Sequence, residues 1–201
     1  MINIANIKIN YETVLVRLGY SRLLTKIDAK TEDLIKENLA IAQKLIKPQA
    51  ALAFDDIIVK QNEVLCGGGG FKIKSSEVAK LFGGCFKMYG IAVTIGKDLE
   101  KQRDVFVKEK ETFNALIFDA AGSVAAEEAI TSANKQIKEY EEKNGNVLTK
   151  RYSPGYGDWA LESQKDFLSW LCADKIGISL TETFLMKPEK SVSAAIGIKK
   201  E

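Results

Sequence analysis

The feature that most constrains the fold is one long helical pattern. Over residues 112–142, Phe113, Leu116, Ile117, Ala120, Ala121, Val124 and Ala125 recur at three- and four-residue spacing and form one apolar face, and Gly145 closes the run. The part beyond Ala125 is rich in charged and amide side chains and reads as polar and solvated. The other elements have to be arranged around this helix.

Shorter signals surround it. Val14, Leu15 and Leu18 share a face over 11–18, with Gly19 as a stop. Ile35, Leu39, Ala42 and Ile46 predict a helix over 31–47, capped by Thr31 and ended by Pro48. Between 51 and 66 the pattern changes to two strands divided near Gln61 and Asn62. A capped helix follows through Leu81, then a buried strand over 85–95 and a charged helix over 98–110. Past the long helix, 147–151 reads as a strand, 161–171 as an amphipathic helix, and 180–186 and 191–198 as strands about a turn at Pro188. Helices and strands mix without strict alternation, which predicts an α+β fold with a mixed, mainly antiparallel sheet and flanking helices. With 46% hydrophobic residues over 201 positions, no repeat and only three prolines, one unit over 1–201 is expected: an N-terminal helical segment over 1–48 and a core over 49–201.

The chain contains no histidine. That removes the commonest general base, the commonest transition-metal ligand and any Ser-His or Cys-His nucleophile pair. Net charge is +2, from 29 basic and 27 acidic side chains, too little to recruit nucleic acid or an anionic membrane. Cys66, Cys85 and Cys172 are distant from one another and form no C-x-x-C pair, which argues against a disulfide framework and a zinc site and for a reducing, cytoplasmic location. No apolar run of about 18 residues and no secretory leader pattern is present, so neither membrane spanning nor secretion is expected.

Two segments invite a ligand. The glycines from Gly67 to Gly70 lack the lysine and Ser/Thr placement of a P-loop and the G-x-G-x-x-G spacing, so a flexible turn and a phosphate cradle both stand as readings. The run Arg151, Tyr152, Ser153, Pro154, Gly155, Tyr156, Gly157, Asp158, Trp159 is denser in chemistry. Arginine pairs bidentately with a carboxylate, an aromatic face stabilises a cation, and glycine lets the main chain approach closely. Such a segment suits a small polar ligand; an aromatic-rich turn with a surface arginine is the other reading.

The same segment carries a family resemblance. Arg151, three intervening residues, then Gly155 and Tyr156 precede a helix; Gly177, Ile178, Ser179, Leu180, Thr181, Glu182, Thr183 and Phe184 follow, then Met186, Pro188, Ser191, Val192 and Ser193. In order and spacing over 151–197 this resembles the S-adenosylmethionine-binding reactivation domain of cobalamin-dependent methionine synthase. Softer similarity lies upstream, at Val14, Leu15 and Gly19, at Cys85, Thr94 and Gly96, and from Asp119 to Glu128.

The resemblance implies that Arg151, Ser153, Gly155 and Tyr156 contact S-adenosylmethionine. Where the family places an acid on the preceding helix this chain has Ser123, and Glu127, one turn later, is its expected substitute; a partly exposed helix glutamate is the other reading. Glu182 either joins the ligand site or holds the Arg151 loop by charge-assisted hydrogen bonds. The family's proline and histidine after the Gly-Tyr turn are replaced by Gly157, Asp158, Trp159 and Ala160, and its later tyrosine-bearing segment has no counterpart before Glu201, so a shallower pocket, or one completed by a partner, is expected. By resemblance, cobalamin is held by a partner, a corrinoid protein or a methionine synthase lacking its own reactivation domain, with a reductant such as flavodoxin or ferredoxin. The chain is then at most one component of a cobalamin-dependent methyltransferase system. The competing classes are a non-catalytic scaffold that keeps the fold and a direct corrinoid-binding protein.

Overall fold

The computed structural model describes residues 3–4, 6–21, 26–68 and 70–201. Two helices come first, α1 (Tyr11–Arg17) and α2 (Ala29–Leu45), and each is started by an acceptor side chain at its N-cap. Asn10 accepts from the Thr13 amide, and Asp28 accepts from the Thr31 amide and hydroxyl at 3.0 and 2.7 Å. Strands β1 (Gln49–Val59), β2 (Glu63–Cys66) and β3 (Lys72–Lys74) then lead to α3 (Ser76–Leu81) and β4 (Lys87–Thr94). Helices α4 (Asp98–Lys108) and α5 (Thr112–Glu142) follow, then β5 (Asn146–Leu148), α6 (Gln164–Trp170), the two-residue strands β6 (Ser179–Leu180) and β7 (Met186–Lys187), and β8 (Ser191–Lys200).

Six strands form one sheet in the order β3-β2-β1-β4-β8-β5, every pair antiparallel. Strands β4 and β8 are apolar on both faces, so each face needs a covering layer. Tyr89, Ile91 and Val93 of β4, with Ala194, Ile196 and Ile198 of β8, meet α1, α2 and α5. Met88, Ala92 and Ala195 face the other way, onto Phe82, Trp159, Phe167 and Leu171. On that second face Gly90 allows an unusually close approach: a Cβ there would lie 2.3 Å from Trp170 Cζ3 and 3.0 Å from both Leu171 and Phe167.

Several expectations need revision. The distal half of α5 is not solvated: Ala129, Ile130, Ala133, Ile137 and Glu141 are buried. Its stripe is built of alanines, which let the sheet come close, and it ends on a carboxylate that is 1% exposed. Glu141 accepts from Tyr89 Oη and from Asn146 Nδ2, each at 2.6 Å, with Lys87 Nζ at 3.5 Å. Helix α2 begins at Ala29 on an Asp28 cap rather than on Thr31. Strand β3 had no distinct signal, and the run expected as a strand over 180–186 is a hairpin of β6 and β7 whose turn holds Thr181 Oγ1 against the Leu185 amide at 3.0 Å. Of the four glycines at 67–70, Gly69 lies outside the described residues; Gly68 donates to Asp55 Oδ2 at 3.0 Å, an anion already occupying that turn.

Candidate functional site

After β5 the chain runs beside β8. The Thr149 amide donates to Gly197 O at 2.9 Å, and Tyr152 exchanges two backbone hydrogen bonds with Ala195 at 3.0 and 2.8 Å. Arg151, held between these anchors, reaches across to α5, where its Nη2 donates to Glu127 Oε1 at 2.6 Å. Ser153 Oγ donates to Ser193 O at 2.6 Å. The chain then turns at Gly155, whose φ of +90° is in the region that favours glycine and whose amide donates to Trp159 O at 2.8 Å. The turn leaves Tyr156 standing out, 69% exposed, while Trp159 is fully buried against Phe167.

Asp158 fastens this loop to α3. Its carboxylate accepts from the hydroxyls of Ser75 and Ser76 and from the Ser76 amide at 2.7 Å, and these donors, the Ser75 hydroxyl foremost, lower its pKa to about 2. Tyr152 donates its hydroxyl to Glu77, which pushes its pKa up to about 12.

The loop, the turn leading out of the β6–β7 hairpin and the first residues of β8 enclose an open cleft of about 750 Å³. Arg151, Ser153, Tyr156 and Glu127 line it, with Gln164, Leu185, Met186, Glu189 and Ser191 to Ala194. Gln164, buried at the start of α6, ties two walls together: its Oε1 accepts from Ser193 Oγ at 3.1 Å and its Nε2 donates to Phe184 O at 3.2 Å. A further wall comes from the connection between β7 and β8. Arg103 Nη1 donates to Glu189 Oε2 at 2.7 Å, and Lys190 Nζ donates to Asp119 Oδ1 at 2.7 Å and to Ser123 Oγ at 2.9 Å. Burial alone would raise the Asp119 pKa, but Lys190 and Arg103 together bring it below its ordinary value.

Four of the six residues singled out from the sequence thus meet at one cleft. Gly155 and Glu182 are not among the described residues that line it. Gly155 acts through its turn, with its amide committed to Trp159. Glu182 is exposed on the hairpin, and the pairing with Arg151 considered for it is made by Glu127 instead. Ser123, at the position where the resemblance implied an acid, is a hydroxyl served by a lysine. Glu189 and Gln164 were missed. Glu189 follows Pro188 with no periodic context, and Gln164 reads as an ordinary polar position near a helix start.

An antiparallel sheet covered by helices on both faces, with a solvent-open cleft walled by an arginine, two glutamates and a glycine-bent aromatic loop, defines an α+β domain of ligand-binding type. The chain belongs to the family described as "Vitamin B12 dependent methionine synthase, activation domain", whose model matches residues 75–201. Among solved structures it is similar to one titled "Crystal Structure of the MetH Reactivation Domain bound to AdoHcy", with a TM-score of 0.71 and 14% identity over 94% of this chain and 73% of that one. At that identity the likeness is one of fold. No curated protein matches significantly by sequence. Among the described residues no helix is long and apolar enough to cross a membrane, and no cluster of three or more His, Cys, Asp or Glu side chains is arranged to hold a metal ion.

Proposed function

We propose that the chain binds S-adenosylmethionine in this cleft and presents its methyl group to an inactivated corrinoid carried by a partner protein, while an external reductant supplies one electron. The observation that carries the reading is the convergence of Arg151, Ser153, Tyr156 and Glu127 on one cleft of about 750 Å³ in a chain of the activation-domain family. That volume is in the range of small-molecule sites. The residue types fit the ligand: a guanidinium for its carboxylate, a carboxylate for its ammonium, and an exposed tyrosine ring for its adenine.

The Arg151–Glu127 pair suggests how an amino-acid head group would be taken. A zwitterion inserted between the two exchanges one ion pair for two, so neither charge is left unmatched. The reduced corrinoid would supply the electron pair that forms the new bond to the methyl carbon; the S–CH₃ bonding pair returns to sulfur, leaving a neutral thioether. The sulfonium is already an activated leaving group, so the protein's task is to orient it and no acid or base is demanded. A chain without histidine suits that task. The reading places the protein in the cytoplasm, with a corrinoid protein or a methionine synthase lacking its own reactivation domain as partner and a flavodoxin or ferredoxin as electron donor.

Calorimetric titration of S-adenosylmethionine into the wild type and into Arg151→Ala tests the reading. Loss of a charge-assisted carboxylate contact costs about 2 kcal/mol, a roughly 30-fold weaker Kd. An absence of binding to the wild type at millimolar ligand would refute it.

A further inference from the structure

The charges around the cleft do not balance. Among the described residues lining it the charged ones are Arg151, Glu127 and Glu189. The first two satisfy one another at 2.6 Å, so Glu189 is the surplus. Its cationic partner among the described residues, Arg103, is shared with Asp104 at 2.9 Å and Asp119 at 3.3 Å. Lys190 also serves Asp119, and its backbone amide donates to Glu100 Oε1 at 2.7 Å. The network behind this wall therefore sets four carboxylates, Glu100, Asp104, Asp119 and Glu189, against the two cations Arg103 and Lys190.

Carboxylates outnumber cations in this hydrogen-bonded network, and the charged residues lining the cleft are themselves one basic and two acidic, so the lining favours a cation. We propose that Glu189, backed by this network, makes the cleft selective for ligands of net positive charge. This rests on the reading of the cleft as an S-adenosylmethionine site. S-adenosylmethionine carries an ammonium and a sulfonium against one carboxylate, a net +1. S-adenosylhomocysteine, the thioether left when the methyl has gone, is a net-neutral zwitterion of nearly the same shape. Shape alone separates the two poorly; Glu189 separates them by charge. The cleft thereby holds the methyl donor and loosens its grip on the product at the moment of transfer. Glu189 is a specificity-determining residue with no part in bond making.

Its carboxylate is more than half exposed, so water and salt screen it and the effect is modest. The test measures Kd for S-adenosylmethionine and S-adenosylhomocysteine with wild type, Glu189→Gln and the distant exposed control Glu139→Gln, at low and raised ionic strength. The wild type should favour the sulfonium roughly three- to fivefold at low salt. In Glu189→Gln, and in the wild type at high salt, the preference should shrink toward unity through weaker sulfonium binding, with thioether affinity unchanged; Glu139→Gln should behave as wild type. Equal affinities in the wild type, or a preference that survives Glu189→Gln, would overturn the proposal while leaving the ligand site standing. If neither ligand binds, the site reading fails and takes this inference with it.

Discussion

Gly90 is hemmed in by three large apolar side chains. It sits mid-strand in β4 with the Trp170, Leu171 and Phe167 side chains pressed onto its α-carbon, and three large groups cannot all retreat from one added methyl. Gly90→Ala should cost about 1–3 kcal/mol by overpacking, read as a lowered denaturant midpoint with an unchanged slope. In the cleft, residues whose chemistry is concentrated in a short stretch were legible from sequence: Arg151, Ser153 and Tyr156 stand together, and Glu127 lies on a readable helix face. Glu189 and Gln164 were not, because a single polar side chain owes its role to what a distant segment brings to it. Gln164 matters only because Ser193 and the Phe184 carbonyl come within hydrogen-bond reach.

Helix α5 shows what periodicity can and cannot convey. In its first half Ile117, Ala120, Ala121, Val124 and Ala125 are buried as their spacing predicts, but Leu116, expected on the same face, is 54% exposed, and Phe118, outside the expected stripe, is fully buried. Its second half buries alanines and Glu141, which composition places among solvated residues. The Glu141 carboxylate holds Tyr89, Asn146 and Lys87 together, so Glu141→Ala leaves three buried or half-buried donors without their acceptor and should cost roughly 2–4 kcal/mol in equilibrium unfolding. Helix α3 owes its place to Asp158, 82 positions from Ser76. The folded-state pKa of Asp158, about 2, lies below the unfolded value near 4. Its stabilising contribution is therefore complete above about pH 4 and is lost as pH falls toward 2. Following the fluorescence of buried Trp159 through that window should reveal the loop loosening in the wild type. Asp158→Asn should already be loosened at neutral pH and lack the acid transition.

For the whole molecule, class was legible and order was not. The mixture of periods predicts α+β, but nothing local says that β8, the last strand, inserts between β4 and β5; that pairing is fixed only when β4 and β8 find covering layers on both faces. β8 also supplies part of the cleft, through Ser191 to Ala194, and Ala194 and Ala195 point into opposite cores. No partial opening exposes their amides without dismantling one core or the other, so their exchange with deuterated solvent should require global unfolding and be among the slowest in the protein. Ligand should slow it further by no more than its binding free energy. The base of the cleft is thus an anvil, a surface tied into both cores that does not yield to what is set upon it.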